Sequence, residues 1–309
     1  AQKGSDTLVT RNSFLGLTGD WGTFLYGIHD TPFKTVGRKA TFFYDELGDH
    51  RQMTMGWDRR LSDLVVYASP DYSGFSFVGS YMLDLNEVGA AHAKTAYSVS
   101  LSYKEEGLYL GLAFEGLSRS FSAVQGSRIA TDTDAVLEFD DDGNPTGLAD
   151  RTYKENYIVG HLDAQTGIRA GVKYDFGDFA VAGMFQSLAN AFNQDMNKDG
   201  TYSLPATAVS AQTFGLEAKY DVNEMYAVKG AFYMADPDTD TDDNEYSLLT
   251  LGLDRNMGEK TLMYVQYAML MNGDASSAAL GGPGHGSSIS PASVGKSPMG
   301  ISWGLVTKF

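Results

Sequence analysis

The sequence predicts an all-β protein in which antiparallel strands run up and down and close into a transmembrane barrel. Three observations predict it: segments that alternate apolar and polar residues, short turns that alternate with long loops, and a strand-forming composition. The chain has 309 residues, with 35 Gly, 18 Tyr, 17 Phe and only 8 Pro. Aromatic residues favour strands and Gly favours turns, so this composition is poor for long helices.

The alternation is clearest in the last eleven residues. One face of the segment 299–309 carries Met299, Ile301, Trp303, Leu305, Thr307 and Phe309. The other face carries Gly300, Ser302, Gly304, Val306 and Lys308. Successive side chains of a strand point to opposite faces, so one face is apolar and the other carries small or polar side chains. Such a strand suits a barrel wall with lipid outside and water inside.

The same alternation predicts thirteen strands along the chain. They are 12–19, 22–30, 60–69, 75–83, 95–104, 107–116, 166–176, 178–189, 211–221, 224–235, 245–255, 260–272 and 299–309. Bacterial single-chain barrels have even strand numbers. We therefore expect further strands, either within the long segment 117–165 or ahead of residue 1.

The joints between these strands alternate in length. Tight turns are predicted at 70–74, 103–107, 175–178, 220–224 and 254–258. Long polar segments are predicted at 31–59, 84–94, 117–165, 190–210, 236–244 and 273–298. Short turns at one end and long loops at the other are typical of an up-and-down membrane barrel. Long structureless loops argue against a compact soluble domain.

Composition and motifs exclude several classes of function. The formal net charge is −16, which disfavours nucleic-acid binding because phosphate neutralisation needs clustered Lys and Arg. There is no cysteine, which excludes disulfides and thiolate metal sites. The five histidines are scattered without metal-ligand spacing, and neither a nucleophile elbow nor a phosphate-binding loop is found. We therefore expect no enzymatic activity and no required cofactor.

Two blocks and the last residue resemble a known family. Residues 11–27, RNSFLGLTGDWGTFLYG, resemble the strand–turn–strand that precedes the constriction loop of Gram-negative trimeric porins. That motif reads approximately R-x-x-F-x-G-L-x-G-x-[FW]-G-T-x-x-x-G. Residues 67–75, YASPDYSGF, resemble the family's turn after this loop, and Phe309 matches its terminal aromatic residue.

The resemblance implies a general diffusion porin of the bacterial outer membrane. It implies one barrel domain over residues 1–309, with sixteen strands of which about three would precede residue 1. It also implies a homotrimer in contact with outer-membrane lipid and lipopolysaccharide. Such a channel passes small hydrophilic solutes and ions by passive diffusion. The acidic loops favour a mild preference for cations.

By the same resemblance, residues 31–59 form a constriction loop that folds into the lumen. Loop carboxylates in this family face basic residues across the pore, and the transverse field orients passing solutes. The predicted acidic side is Asp45, Glu46 and Asp49. The predicted basic side is Arg11, Lys34, Arg38, Arg51, Arg59 and Arg60.

Alternation places further charged residues on lumen-facing positions, where they would keep the channel wet. These are Arg169, Lys173, Glu217, Lys219 and Lys229. A separate segment, DMNKDG at 195–200, fits the opening of a calcium loop. Asp195, Asn197 and Asp199 would supply oxygen ligands, but the twelfth position is Ala206 in place of the bidentate Glu. Solvated acidic surface loops are the alternative interpretation.

Three other functions stay open at this point. The first is a substrate-specific channel of the same fold. The second, from another class, is an outer-membrane barrel enzyme such as a lipase, whose catalytic groups would be adjacent only in space. The third is a soluble β-sandwich binding module, which would bury the apolar face of each strand and expose the polar one.

Overall fold

The protein is described here by a computed structural model. The structure describes residues 11–43, 45–83, 92–121, 165–190, 210–238, 242–281 and 288–307, together with short paired segments between 124 and 158. Thirteen antiparallel strands form one sheet in which each strand pairs with the next along the chain. This confirms the predicted all-β, up-and-down topology and the count of thirteen strands. Among the described residues, the first and last strands do not pair with each other.

The strands are numbered here in chain order within this sheet. They are β1 (Ser13–Gly19), β2 (Gly22–Asp30), β3 (Arg60–Ala68), β4 (Phe75–Met82), β5 (His92–Glu105), β6 (Leu108–Phe121), β7 (Gln165–Asp175), β8 (Phe179–Ala189), β9 (Ser210–Asp221), β10 (Tyr226–Asp238), β11 (Tyr246–Asn256), β12 (Thr261–Asn272) and β13 (Met299–Thr307). Most of these bounds lie within three residues of the sequence prediction.

A second, smaller unit comprises residues 84–94 and 118–163. It contains three short antiparallel pairings. These join Leu137–Phe139 to Pro145–Leu148, Ile129–Ala130 to Tyr153–Lys154, and Val124–Gln125 to Tyr157–Ile158. None of these segments joins the thirteen-stranded sheet in the described residues, so they do not add strands to its order.

The connections of the sheet differ between its two ends. At the end we call the turn end, strands are joined by short turns at 20–21, 69–74, 106–107, 176–178, 222–225 and 257–260. Glu106 and Gly107, between β5 and β6, have φ of 41° and 85°, as a two-residue hairpin turn requires. The opposite loop end carries longer connections, including 31–59 and 273–298.

The apolar face of the sheet is exposed and its polar face is buried, which is the reverse of the arrangement in a soluble protein. Leu216 and Leu305 are 73% and 62% exposed, whereas Glu217, next to Leu216, is only 3% exposed. Val172 is likewise exposed. Apolar side chains exposed in rows need a lipid environment, because water would penalise so large an apolar surface. This pattern contradicts the soluble β-sandwich alternative.

Part of the polar face is covered by residues 31–59, which we call the inserted segment. It contains α1 (Pro32–Lys39) and a short 3₁₀ helix, His50–Met53. The Thr31 hydroxyl caps α1 by accepting a hydrogen bond from the Lys34 amide (3.4 Å), and Pro32 occupies its first turn. No helix among the described residues has the length and apolar character to cross a bilayer.

The buried apolar core lies between the inserted segment and the polar face of the sheet. Phe33, Val36 and Trp57 pack with Ala113 and Leu188. A second cluster combines residues of the segment with residues of several strands and of the connection after β12; it consists of Phe43, Met53, Met184, Ala231, Tyr233, Ala235, Tyr246, Leu248, Ala268, Leu270 and Leu280. The segment is therefore held on the sheet by hydrophobic contacts as well as by charge.

Candidate functional site

Three of the predicted basic residues converge on one carboxylate, that of Asp30 at the end of β2. The Lys34 ammonium lies 2.9 Å from Asp30 Oδ1. The Arg38 guanidinium lies 2.9 Å from Asp30 Oδ2, and Arg60 Nε lies 3.0 Å from Oδ1. Asp30 is buried, so these contacts compensate its charge. Sequence reasoning missed Asp30, although its position just before a Thr-Pro helix start marks it as a residue that orients α1.

Asp45 and Asp49, predicted for the acidic side, pair with arginines of the inserted segment itself. Arg51 Nη2 lies 2.8 Å from Asp45 Oδ1, and Arg51 Nε lies 2.9 Å from Asp49 Oδ2. Arg38 Nη2 approaches Asp45 Oδ2 at 3.7 Å. Asp45 is 44% exposed in its side chain, whereas Asp49 is 1% exposed. Of these two carboxylates, only Asp45 is presented to solvent.

Glu46 reaches across the segment to the sheet. The Lys229 ammonium donates to both its carboxylate oxygens, at 3.2 Å and 2.9 Å, and lies 3.1 Å from Asp254 Oδ1. Burial raises the pKa of Glu46 to about 7; Lys229 opposes this rise, whereas Asp254 and Asp49 add to it. One ammonium thus faces two carboxylates, and the raised pKa of Glu46 allows it to hold a proton near neutral pH.

A second buried ion pair joins Arg169 of β7 to Asp58 of the segment. Their Nη1 and Oδ1 atoms are 2.6 Å apart, and Arg169 also donates to the Phe33 carbonyl at 3.2 Å. His50 Nε2 lies 3.4 Å from Asp58 Oδ2. Burial alone raises the pKa of Asp58, but Arg169 and His50 outweigh it and hold that pKa well below its usual range. Neither Asp58 nor His50 was predicted for the site.

Arg59 lies beside this pair and contacts β6 and β7. Its Nη1 approaches Glu115 Oε1 at 3.5 Å, and its Nη2 donates to Gln165 Oε1 at 3.2 Å. The guanidinium also lies over the Trp57 ring, 4.0 Å from its centroid. Glu115 and Gln165 were not predicted, because alternation identifies which face a strand residue occupies but not what covers it.

The remaining predicted lumen-facing residues lie on the face that the segment covers. Glu217 accepts a hydrogen bond from the Thr41 hydroxyl at 2.7 Å and from the Phe42 amide. Lys173 Nζ donates to the Thr41 carbonyl at 3.3 Å. Lys219 pairs with Asp221 at 2.7 Å, outside these contacts.

Two groups of predicted site residues do not contribute to the ion pairs described above. Arg11 is exposed at the start of the described residues, apart from the inserted segment. The calcium ligands Asp195, Asn197 and Asp199 lie outside the described residues. Within the part of the chain that the structure describes, no group of three or more His, Asp or Glu side chains has the arrangement of a metal site.

Comparison with known proteins identifies the class to which this geometry belongs. The family model for Gram-negative porins matches residues 1–275, so the chain belongs to the Gram-negative porin family. It is therefore a β-barrel channel protein of the bacterial outer membrane. This confirms the family resemblance and the localisation inferred from sequence.

Individual relatives agree with this family. A chitoporin from Vibrio furnissii is 27% identical over 264 residues, which cover 74% of this chain and 68% of that protein. An anion-selective porin from Comamonas acidovorans superposes with a TM-score of 0.66 at 20% identity, covering 97% of this chain and 78% of that one. The Salmonella typhi OmpF complex with daunomycin gives a TM-score of 0.55 at 12% identity, covering 96% and 77%. These structural likenesses support the fold.

Proposed function

We propose that this porin is a general diffusion channel through which small hydrophilic solutes and ions pass down their gradients, without chemistry and without a cofactor. One observation carries the proposal. The polar face of the sheet bears charged and hydrogen-bonding side chains, and the inserted segment covers only part of it, with the solvated Asp45–Arg51 pair on its outer side. A charged, water-wetted constriction admits hydrated solutes and discriminates by size and charge.

Conductance of the purified protein tests this proposal. In planar bilayers in KCl, we expect stepwise, ohmic conductance increases. In liposome-swelling assays, rates should fall steeply as the size of neutral sugars increases. Heat-denatured protein is the control. Absence of conductance from correctly folded protein, or swelling that is independent of solute size, would contradict a diffusion channel.

A substrate-specific channel is the second candidate, and the likeness to a chitoporin favours it. That name points to sugars derived from chitin as solutes to test. A specific channel would show concentration-dependent interruption of the current by chitin oligosaccharides, while malto-oligosaccharides of equal length would pass without effect. Equal behaviour of the two sugar series would favour general diffusion.

The ion preference that we propose is a mild one for cations, set at the loop end. A cavity of about 420 Å³ lies there between the ends of β8 to β11. We call it the loop-end cavity, and its acidic lining residues are Asp236, Asp238, Asp242, Asp243 and Glu245. Clustered carboxylates raise the local concentration of cations. The predicted constriction acids contribute less, since Glu46 and Asp49 are buried in ion pairs.

Reversal potentials under a KCl gradient test this preference. The D236N/D238N/E245Q variant should lose most of it. A matched control, E105Q/E106Q/D178N, removes the same charge at the turn end and should keep it. Clear anion preference of the unmodified protein would contradict the proposal.

We further propose a homotrimer seated in lipopolysaccharide, as the resemblance implies. The exposed apolar face of the sheet supplies surface for both lipid and neighbouring subunits. Light scattering in detergent should give a protein mass about three times 33.5 kDa. A monomeric mass in a conducting preparation would contradict the trimer.

A further inference from the structure

A second cavity lies at the turn end, on the polar face of the sheet. It has a volume of about 620 Å³ and lies between the end of α1 and the turn-end parts of β4, β5, β6 and β7. We call it the turn-end cavity. Its charged lining residues are Arg38, Lys39, Asp71, Lys104, Lys173 and Asp175. This space is large enough for a small organic solute with its water.

Three lysines of this cavity have no carboxylate within ion-pair distance in the part of the chain that the structure describes. Among the described residues, Lys39, Lys104 and Lys173 form no ion pair, although the chain as a whole carries a net charge of −16. Lys39 lies 5.7 Å from the centroid of the Tyr109 ring. Lys173 Nζ contacts the Thr41 carbonyl at 3.3 Å and the Phe42 ring at 4.3 Å, and the carboxylates of Glu217 and Asp175 act on it from beyond ion-pair distance.

Two of these ammonium groups, those of Lys39 and Lys104, are close enough to influence one another. Burial lowers the pKa of Lys39, and the neighbouring Lys104 lowers it further. Like charges held around one water-filled space repel each other, and an anion placed between them relieves that repulsion. The cavity is thus more favourable for an anion than an isolated surface lysine would be.

The two carboxylates in the lining are engaged in their own turns. Asp71 Oδ1 accepts a hydrogen bond from the Gly74 amide at 2.9 Å. Asp175 Oδ1 accepts one from the Gly177 amide at 2.8 Å. These bonds fix each carboxylate to its turn but leave it charged. The three lysines outnumber the two carboxylates of the lining, so positive charge is in excess within the cavity.

Hydroxyl groups add neutral donors to the same wall. Ser76 and Ser102, on adjacent strands, share a hydrogen bond with 2.9 Å between their Oγ atoms. Both line the cavity, and each hydroxyl can turn toward an incoming oxygen acceptor. Flexible ammonium groups with hydroxyls between them suit the oxygens of a phosphate or carboxylate.

We propose that the turn-end cavity is a binding site for small solutes that carry two or more oxyanion groups, either phosphates or carboxylates. The inference rests on the proposed channel function, because the solute reaches the cavity along the polar face. Binding is weak and exchanges quickly, since the groups are partly solvated and screened by salt. It retains anionic solutes at the turn end against the acidic charge of the loop end.

Pyrophosphate block of the single-channel current tests the proposal. At about 0.1 M KCl, millimolar pyrophosphate should reduce the current through the unmodified protein in a concentration-dependent way. This block should weaken at high salt. K104Q/K173Q should lose at least about tenfold in apparent affinity, as two charge contacts are removed. The matched control K260Q/K296Q removes two lysines outside the cavity and should stay within about twofold. Citrate, tested in parallel, separates the sources: equal block indicates oxyanion charge in general, and weaker block indicates phosphate.

The outcomes separate this inference from the channel function. Equal pyrophosphate block of all three proteins, or no block of a conducting unmodified protein, overturns the cavity as a site while leaving the channel intact. Absence of KCl conductance in the unmodified protein overturns the proposed function itself. Because K104Q/K173Q must conduct in KCl to be scored, a folding defect is detected before affinity is measured. A K39Q variant that conducts supplies a second, independent loss of block.

Discussion

The inserted segment has two sides, and the same kinds of ion pair serve different purposes on each. On the side facing the sheet, the Arg169–Asp58 pair is nearly excluded from water, with side chains 0% and 6% exposed. On the side facing solvent, the Arg51–Asp45 pair has side chains 15% and 44% exposed. Breaking a buried pair leaves an uncompensated charge, whereas an exposed pair contributes little to stability. The buried pair therefore anchors the inserted segment to the sheet, whereas the exposed pair is accessible to passing ions.

The largest effect is expected from Arg169→Met. It leaves Asp58 buried without its main cation and should reduce the free energy of unfolding by about 3–5 kcal/mol. The measurement is heat or denaturant unfolding in detergent. Lys219→Met, which breaks the partly exposed pair with Asp221, is the control and should cost less than about 1 kcal/mol.

Adding Asp58→Asn to Arg169→Met should restore part of the lost stability, because the uncompensated charge is removed. If Arg169→Met is as stable as the unmodified protein, the buried pair does not anchor the segment and the contrast between the two sides disappears.

Gly48→Ala tests how closely the segment approaches the sheet. Gly48 has a φ of +74°, and a Cβ there would come within 2.6 Å of Ala268 Cβ and of Thr250 Oγ1. We expect a loss of about 2–4 kcal/mol from overpacking and backbone strain together. Gly56→Ala is a matched control, since its φ is +77° but nothing lies within 4 Å. Equal losses in the two variants would show that close packing against the sheet is not the cause.

The pH dependence of stability tests the burial of Glu46 between the inserted segment and the sheet. Because burial raises the folded-state pKa of Glu46 to about 7, the folded protein binds its proton more tightly than the unfolded chain. Its stabilising contribution is therefore full below about pH 4.5 and is lost as pH rises through about 7. Between pH 5 and 8 we expect a loss of about 1–2 kcal/mol. Glu46→Gln should lose less over this range; an identical pH profile would contradict the assignment.

Asp45→Asn should have the smallest effect on stability, below about 1 kcal/mol, because the Asp45 side chain is 44% exposed. Its effect should appear in ion selectivity, as a shift of the KCl reversal potential toward anions. Asp178→Asn, in a turn between β7 and β8, is the control and should shift it less. A large destabilisation without a change in selectivity would reverse the roles given to the two sides.

The strands could be predicted from sequence because a lipid–water boundary imposes a period of two on each of them. The prediction ended β10 at 235, before the acidic residues, yet the strand continues to Asp238 by pairing with Ser210. Asp236 and Asp238 fall on the same face as Phe232 and Met234 but are exposed at the end of the strand, so their charges do not end it.

The ion-pair partners could not be predicted. Arg169 and Asp58 are 111 residues apart, and their contact depends on how the inserted segment lies across the strands. Sorting charges by sign suggested an acidic side opposite a basic side, but Asp45 and Asp49 contact Arg51 of the same segment. Alternation identified Lys229 and Glu217 as inward residues, whereas Asp30 and Asp58 stand at element ends where no period applies.

The opposite charges of the turn-end and loop-end cavities have an electrical consequence. Lysines that form no ion pair with the described residues lie at one end of the strands, and clustered carboxylates lie at the other. A conducting path whose fixed charge changes sign along its length behaves as a diode, because one polarity fills it with counter-ions and the other depletes it. At low ionic strength the channel should therefore rectify, and the direction of the larger current reports which way the protein is inserted.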